Sequence, residues 1–160
     1  MRTQISTIFR EIEIGLDENI TSLLKGIEAS GAVVSNRARD ILNKIELSKF
    51  KQSLDLVVPS VEELGYPQGT QLRNIYKAGN ERGLYLCPEE MGPKLREKYT
   101  DQPVHESLTI ATELIKNSVG DSMLFSVEHS AHDGLWLDAY LSSADSYFNS
   151  KDLFVFVLRK

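Results

Sequence analysis

Apolar positions recur with a period near 3.6 in the first hundred residues and near two in the last fifty-five. Ile20, Leu23, Leu24 and Ile27 form one helical stripe, with Asp17 as the expected N-cap, Glu18 in the first turn and Gly31 as the stop. Ala38, Ile41, Leu42 and Ile45 form a second stripe behind Ser35, and Arg37, Arg39, Asp40 and Lys44 read as its solvated face. A third helix is expected after Thr70, with Leu72, Ile75, Tyr76 and Gly79 on one side and Gly83 as the left-handed residue that ends it. Gly79 predicts the close approach of another backbone. Around Ile12 the pattern fits strand and helix alike, and a short strand is the preferred reading. The run LDLVV at 54–58 reads as a strand, and Ser60 with Glu63 has capping-box spacing.

Between the two regimes lies GLYLCPEEMGPKLREKYTDQP at 83–103, the densest punctuation in the chain. Pro88 suits a first helical position, with Glu89 and Glu90 near the positive end of the dipole. Gly92-Pro93 is expected to break that turn and start a second short helix, in which Leu95 and Tyr99 stack.

After Pro103 the alternation predicts strands at 108–114, 123–128 and 135–141, with turns at 117–121 and 129–134. The closing run at 153–158 is apolar at successive positions, which predicts a strand covered on both sides. The expected fold is α+β: N-terminal helices packed on one face of a mostly antiparallel C-terminal β-sheet. It forms one domain over 1–160, helical to about residue 103 and pleated beyond it.

Composition narrows the function by exclusion. At 160 residues the chain can bury about two-thirds of its unfolded surface without a staple. Net charge is −5, with 18 basic against 23 acidic residues, so nucleic-acid binding is disfavoured. The single cysteine, Cys87, permits no intramolecular disulfide and no multi-cysteine zinc site, which suits a reducing compartment. Neither a signal peptide nor a membrane span is expected, and the cytoplasm is the expected location. There is no P-loop, no GxGxxG after a strand and no GxSxG elbow, so no nucleotide or other cofactor is expected.

Five sets of words stand in order along the chain. They are VEELG at 61–65, LCP with Glu89 at 86–89, and GP with Leu95, Arg96, Tyr99 and DQP at 92–103. GLWL at 134–137 and VFV at 155–157 complete them. Together they resemble a family of small uncharacterised bacterial proteins, from about Phe9 to the C-terminus. The resemblance implies a bacterial source and a shared fold, and it transfers no catalytic residue. The chain departs from the family after DQP, where glycine, acid and tryptophan are usual and Val104-His105-Glu106-Ser107 stands. It departs again in the turn before GLWL, where His129 and His132 replace Asp and Gly.

Candidate chemistry is sparse. His129 and His132, with Glu128 and Asp133, are the nearest approach to a metal cluster, although polar turn residues are the plainer reading. Cys87 precedes a helix start, which can favour a thiolate, and His105 could serve it as base; a buried small hydrophobe is the alternative. Arg96, Asp101 and Gln102, with Glu89, could line an acidic cleft, and Tyr99 joins them as a candidate for binding a ligand or partner. Trp136 and Tyr140 share a sheet face with Asp138 between them, either beneath a helix or open to a partner or ligand. Three functions follow, in order. The first is a non-enzymatic binding or protein-interaction module for an unknown protein or small ligand. The second is a hydrolase-like enzyme using Cys87 or the cleft at Glu89, Arg96 and Asp101. The third is RNA binding through the sheet face.

Overall fold

The structure is a computed structural model that describes residues 5–159. Its strands are β1 (Arg10–Ile14), β2 (Val33–Val34), β3 (Gln52–Val57), β4 (Thr70–Gln71), β5 (Leu84–Tyr85), β6 (Ser107–Ile110), β7 (Ile115–Lys116), β8 (Ser122–Ser130), β9 (Gly134–Leu141), β10 (Tyr147–Phe148) and β11 (Leu153–Leu158). Its helices are α1 (Ile20–Ala29), α2 (Asn36–Leu42), α3 (Leu72–Glu81) and α4 (Met91–Lys98).

The fold is α+β, built on a large curled sheet in the order β1-β3-β11-β6-β8-β9-β2. β5 adds to β11, and β7 to β8. Two expectations about this sheet are corrected. It is mixed, because β11 runs parallel to β6 and β2 runs parallel to β9. The reading of 104–160 as successive hairpins missed this: β7, β8 and β9 follow one another that way, while β11 returns from a long excursion to lie beside β6. The N-terminal half also supplies β1, β2 and β3 to the same sheet.

The second correction concerns the layers. β11 is apolar on both faces because both are covered, as its sequence predicts. Val155 and Val157 point into one cluster with Leu23 and Ile27 of α1, Ala38, Ile41 and Leu42 of α2, and Met91 and Leu95 of α4. Phe154 and Phe156 point into another with Leu72, Ile75 and Ala78 of α3 and with Val61 and Leu64. Helices therefore lie on both faces of the sheet, not on one. LDLVV behaves likewise, with Leu56 in the first cluster and Val57 in the second.

Local grammar holds where side chain and backbone meet within a few residues. Ser60 Oγ accepts from the Glu63 N–H at 3.1 Å, and Glu63 Oε1 accepts from the Ser60 N–H at 3.0 Å, closing a capping box. Ser35 caps α2 through the Ala38 N–H, and Gly83 ends α3 at φ 79°. Two expected caps shift. Asn19, not Asp17, caps α1, and Gln71 precedes α3 while Thr70 lies in β4. Asp17 is instead drawn to the buried Lys94 ammonium, 2.6 Å away. The close neighbour of Gly79 is the Phe156 ring, which a Cβ would meet at 2.8 Å, rather than another backbone. The alternation at 108–114 breaks after Ile110 and resumes as β7 at Ile115.

The punctuated stretch becomes the centre of the molecule. A single helix, α4, runs through Gly92-Pro93 without a break, because Pro93 falls in its first turn, where backbone N–H groups lack helical partners. Every residue from Met91 to Arg96 is buried, including Lys94 and Arg96. Gly92 lets this helix close onto β8, since a Cβ there would stand 2.8 Å from Phe125 Cβ.

Candidate functional site

The apolar layer under α3 reaches across the sheet to Leu124 of β8 and stops there. The cross-strand pairs beyond it are Leu124 with Tyr140, Ser126 with Asp138, and Glu128 with Trp136. Direct partners share a face, so Ser126, Glu128, Trp136, Asp138 and Tyr140 form one patch. Trp136 and Tyr140 belong to neither apolar cluster, and Tyr140 is 41% exposed. A small cleft of about 110 Å³ between Tyr140, Ser142 and Phe148 marks the border with the covered region.

Two residues from the sheet edge complete this face. Ser35, the α2 cap, donates to Asp138 Oδ1 at 2.7 Å, and the Ala139 N–H donates to the same oxygen at 2.8 Å. Arg37 donates to Asp138 Oδ2 at 3.0 Å and lies 4.7 Å from the centre of the Tyr140 ring. Burial alone would raise the Asp138 pKa, but Ser35, the Ala139 N–H and Arg37 outweigh it and hold the carboxylate below its ordinary value. Ser126 Oγ donates to Glu128 Oε2 at 2.8 Å and is within 3.2 Å of Ser107 Oγ. Burial, then Glu128 and Asp138, push the Tyr140 phenol far up, so it stays protonated at neutral pH. The patch thus holds two carboxylates, one guanidinium and two aromatic rings.

Behind the patch is the brace built by the punctuated stretch. Arg96 is wholly buried, and its Nη1 donates to Gln102 Oε1 at 2.7 Å, to the Glu128 carbonyl at 2.9 Å and to the Trp136 carbonyl at 3.3 Å. Its Nη2 donates to the Tyr99 carbonyl at 2.5 Å. Burial pulls the guanidinium down to about 10, still charged at neutral pH. Gln102 Nε2 donates to the Val127 carbonyl at 3.0 Å, and the Tyr99 hydroxyl donates to Glu106 Oε1 at 2.7 Å. Arg96 therefore holds the backbone of the very pair, Glu128 and Trp136, that faces outward, and Gln102 holds Val127 beside it.

The structure thus divides the candidate residues. Trp136 and Tyr140 stand together on the open face. Arg96, Tyr99 and Gln102 stand together in the interior beneath it. Asp101 is apart from both, exposed and paired with Arg10 at 3.1 Å, while Glu89 Oε1 accepts from the Glu46 N–H at 3.3 Å. These residues do not form an acidic cleft. His129 Nδ1 lies 2.6 Å from the Gln102 carbonyl, so that nitrogen carries the proton, and His132 is exposed in the turn. Among the described residues no group of three or more His, Cys, Asp and Glu could hold a metal ion. Sequence reading passed over Arg37 and Ser35, which looked like solvated helix surface and a simple cap. Only the parallel pairing of β2 with β9 brings them to Asp138.

Cys87 is buried against β11, its thiol 3.3 Å from the Val155 carbonyl, and burial pushes its pKa far up. His105 belongs to a different place, its N–H bonded to the His129 carbonyl of β8 at 2.8 Å. Such a thiol offers no nucleophile at neutral pH. A thiol reagent at pH 7.5 is expected to label Cys87 at least 100-fold faster in denaturant than in the native chain; equal rates would place the sulfur in water.

A second concavity, about 650 Å³, lies between α3 and the far end of β11, walled by Leu54, Leu84, Leu86, Pro88 and Phe156. Its side-chain amide, Asn80, accepts from Arg159 through Oδ1 at 3.2 Å. No helix is long and apolar enough to cross a membrane among the described residues. No family model, curated protein or solved structure matches the chain.

Proposed function

We propose that this chain is a non-enzymatic binding module of the bacterial cytoplasm, related to the small bacterial family its words resemble, and that it engages a protein partner through the open face of β8 and β9. One observation carries the reading: the apolar covering of the sheet ends at Leu124, leaving Trp136 and Tyr140 outside both hydrophobic clusters beside Glu128 and Asp138. Aromatic side chains with a polar surround offer contact area at small entropic cost, which is how protein interfaces are anchored. The two carboxylates repel phosphate, which sets a protein partner ahead of RNA. The brace at Arg96 and Gln102 serves this reading by keeping the twisted end of the hairpin rigid. A rigid surface loses less entropy on binding.

The test is retention of a partner on the immobilised chain. The doubly substituted chain, Trp136→Ala with Tyr140→Ala, is expected to keep its circular dichroism and its unfolding midpoint within a few degrees and to lose the partner held by the original. Retention of the same partner by the folded double variant would remove this face from the function.

A further inference from the structure

The face is short of one positive charge. Asp138 has its cation: Arg37 bonds Oδ2 at 3.0 Å and its guanidinium sits 4.7 Å from the centre of the neighbouring Tyr140 ring. Glu128 also stands beside a ring, because Trp136 is its direct cross-strand partner. Yet the hydrogen bond made to the Glu128 carboxylate comes from a neutral donor, the Ser126 hydroxyl at 2.8 Å. Among the described residues it has no ion-pair partner. One half of the patch thus shows an aromatic ring and a carboxylate closed by a guanidinium, and the other half shows a ring and a carboxylate that feels Arg37 at longer range but has no guanidinium bonded to it.

We propose that the Glu128–Trp136 half of this face binds an arginine side chain from a basic segment of a partner protein. The inference rests on the reading of the face as the binding surface and names the chemistry it selects. A planar guanidinium can bond a carboxylate while stacking on a neighbouring ring, and it is less strongly hydrated than an ammonium. Trp is the best aromatic for that stacking. The carboxylate comes already oriented by Ser126 on one side, and its backbone is pinned by Arg96 from behind, so little ordering remains to be done on binding. The net charge of −5 adds a long-range pull on a basic segment.

Capped pentapeptides of glycine with arginine, lysine or citrulline at the centre supply the probe, titrated into the 15N-labelled 160-residue chain. The arginine peptide is expected to shift the Trp136 indole N–H resonance, assigned by its loss in Trp136→Phe. The neutral, isosteric citrulline peptide should bind about tenfold more weakly, the difference a charge-assisted hydrogen bond makes. Lysine should fall between them. Glu128→Gln should weaken arginine binding by a similar factor, while Glu113→Gln, remote from the face, should leave it unchanged. Equal binding of arginine and citrulline, equal binding of arginine and lysine, or an unchanged affinity in folded Glu128→Gln would each overturn the assignment. Those results would leave the wider reading standing if the Trp136 and Tyr140 double variant still lost its partner. If that variant kept its partner and the arginine peptide still shifted Trp136, the cation site would exist apart from the partner surface.

Discussion

Replacing Arg96 with alanine is expected to lower the stability of this chain more than any other single change away from the apolar core. The substitution strips the donor from four acceptors at once: Gln102 Oε1 and the carbonyls of Tyr99, Glu128 and Trp136. It also empties the space of the largest fully buried side chain in the fold. An unsatisfied buried acceptor costs about 1–3 kcal/mol, and water entering the vacated space recovers part of that, so a total of about 4 kcal/mol is expected. For a chain of this length that is a fall in Tm of about 8–16 °C. Arg96→Met separates the causes. It restores most of the volume and removes a buried charge, yet supplies no donor, so about 2–3 kcal/mol of the loss should persist. Urea unfolding of both variants reads the outcome. A methionine variant as stable as the original would mean that space-filling, and not hydrogen bonding, is what the arginine contributes.

Glu90→Ala is expected to cost nearly as much, for a related reason. The Glu90 side chain is fully buried and faces two backbone donors from separate segments: the Ser48 N–H bonds Oε1 at 2.8 Å and the Gly15 N–H bonds Oε2 at 3.1 Å. It stands at the start of α4, where the helix dipole favours a negative charge. Hydrogen bonds to an ionised group are worth about 1.5–3 kcal/mol each, and removing the acceptor leaves two partly buried N–H groups unpaired, so about 3 kcal/mol is expected. The effect should be local first. Amide hydrogen exchange at Ser48 and Gly15 should quicken more than exchange in β8 or β11. Uniform quickening across the sheet would show that Glu90 acts on global stability without tying these two segments in particular.

These two positions show how the stretch at 83–103 could be recognised as important and still be misread. Its glycines, prolines and charges signal a helix start, and a helix starts there at Met91. Dipole reasoning then treats Glu90 as an end charge and gives Lys94 and Arg96 no place in the interior. In the structure α4 lies against α1, β1, β8 and β9, so no side of its first six residues is left for solvent. Each charge is instead answered inside the fold: Lys94 by Asp17 and Glu97, Glu90 by backbone N–H groups, and Arg96 by carbonyls and Gln102. A buried ion demands such partners, but nothing in the spacing of α4 says where in the chain they come from.

The candidate face was half legible for the same reason. Period-two alternation places Trp136, Asp138 and Tyr140 on one side of β9 whatever the strand pairs with. Alternation cannot say that Glu128 is the partner of Trp136, since a shift of register would bring another residue opposite. Nor can it say that Arg37, a hundred residues away, lies on the Tyr140 ring.

What the chain determined by itself is its local chemistry: the capping box at Ser60 and Glu63, the left-handed end at Gly83, the α+β class, and a last strand too apolar to lie at an edge. Each depends on neighbours a few residues apart, whose geometry the backbone sets directly. Tertiary structure alone decided the parallel pairing of β11 with β6, the division of the helices between two faces, and the place where the apolar cover ends at Leu124. Those are outcomes of long-range packing, in which burying apolar area and answering every buried charge are settled together for the whole molecule.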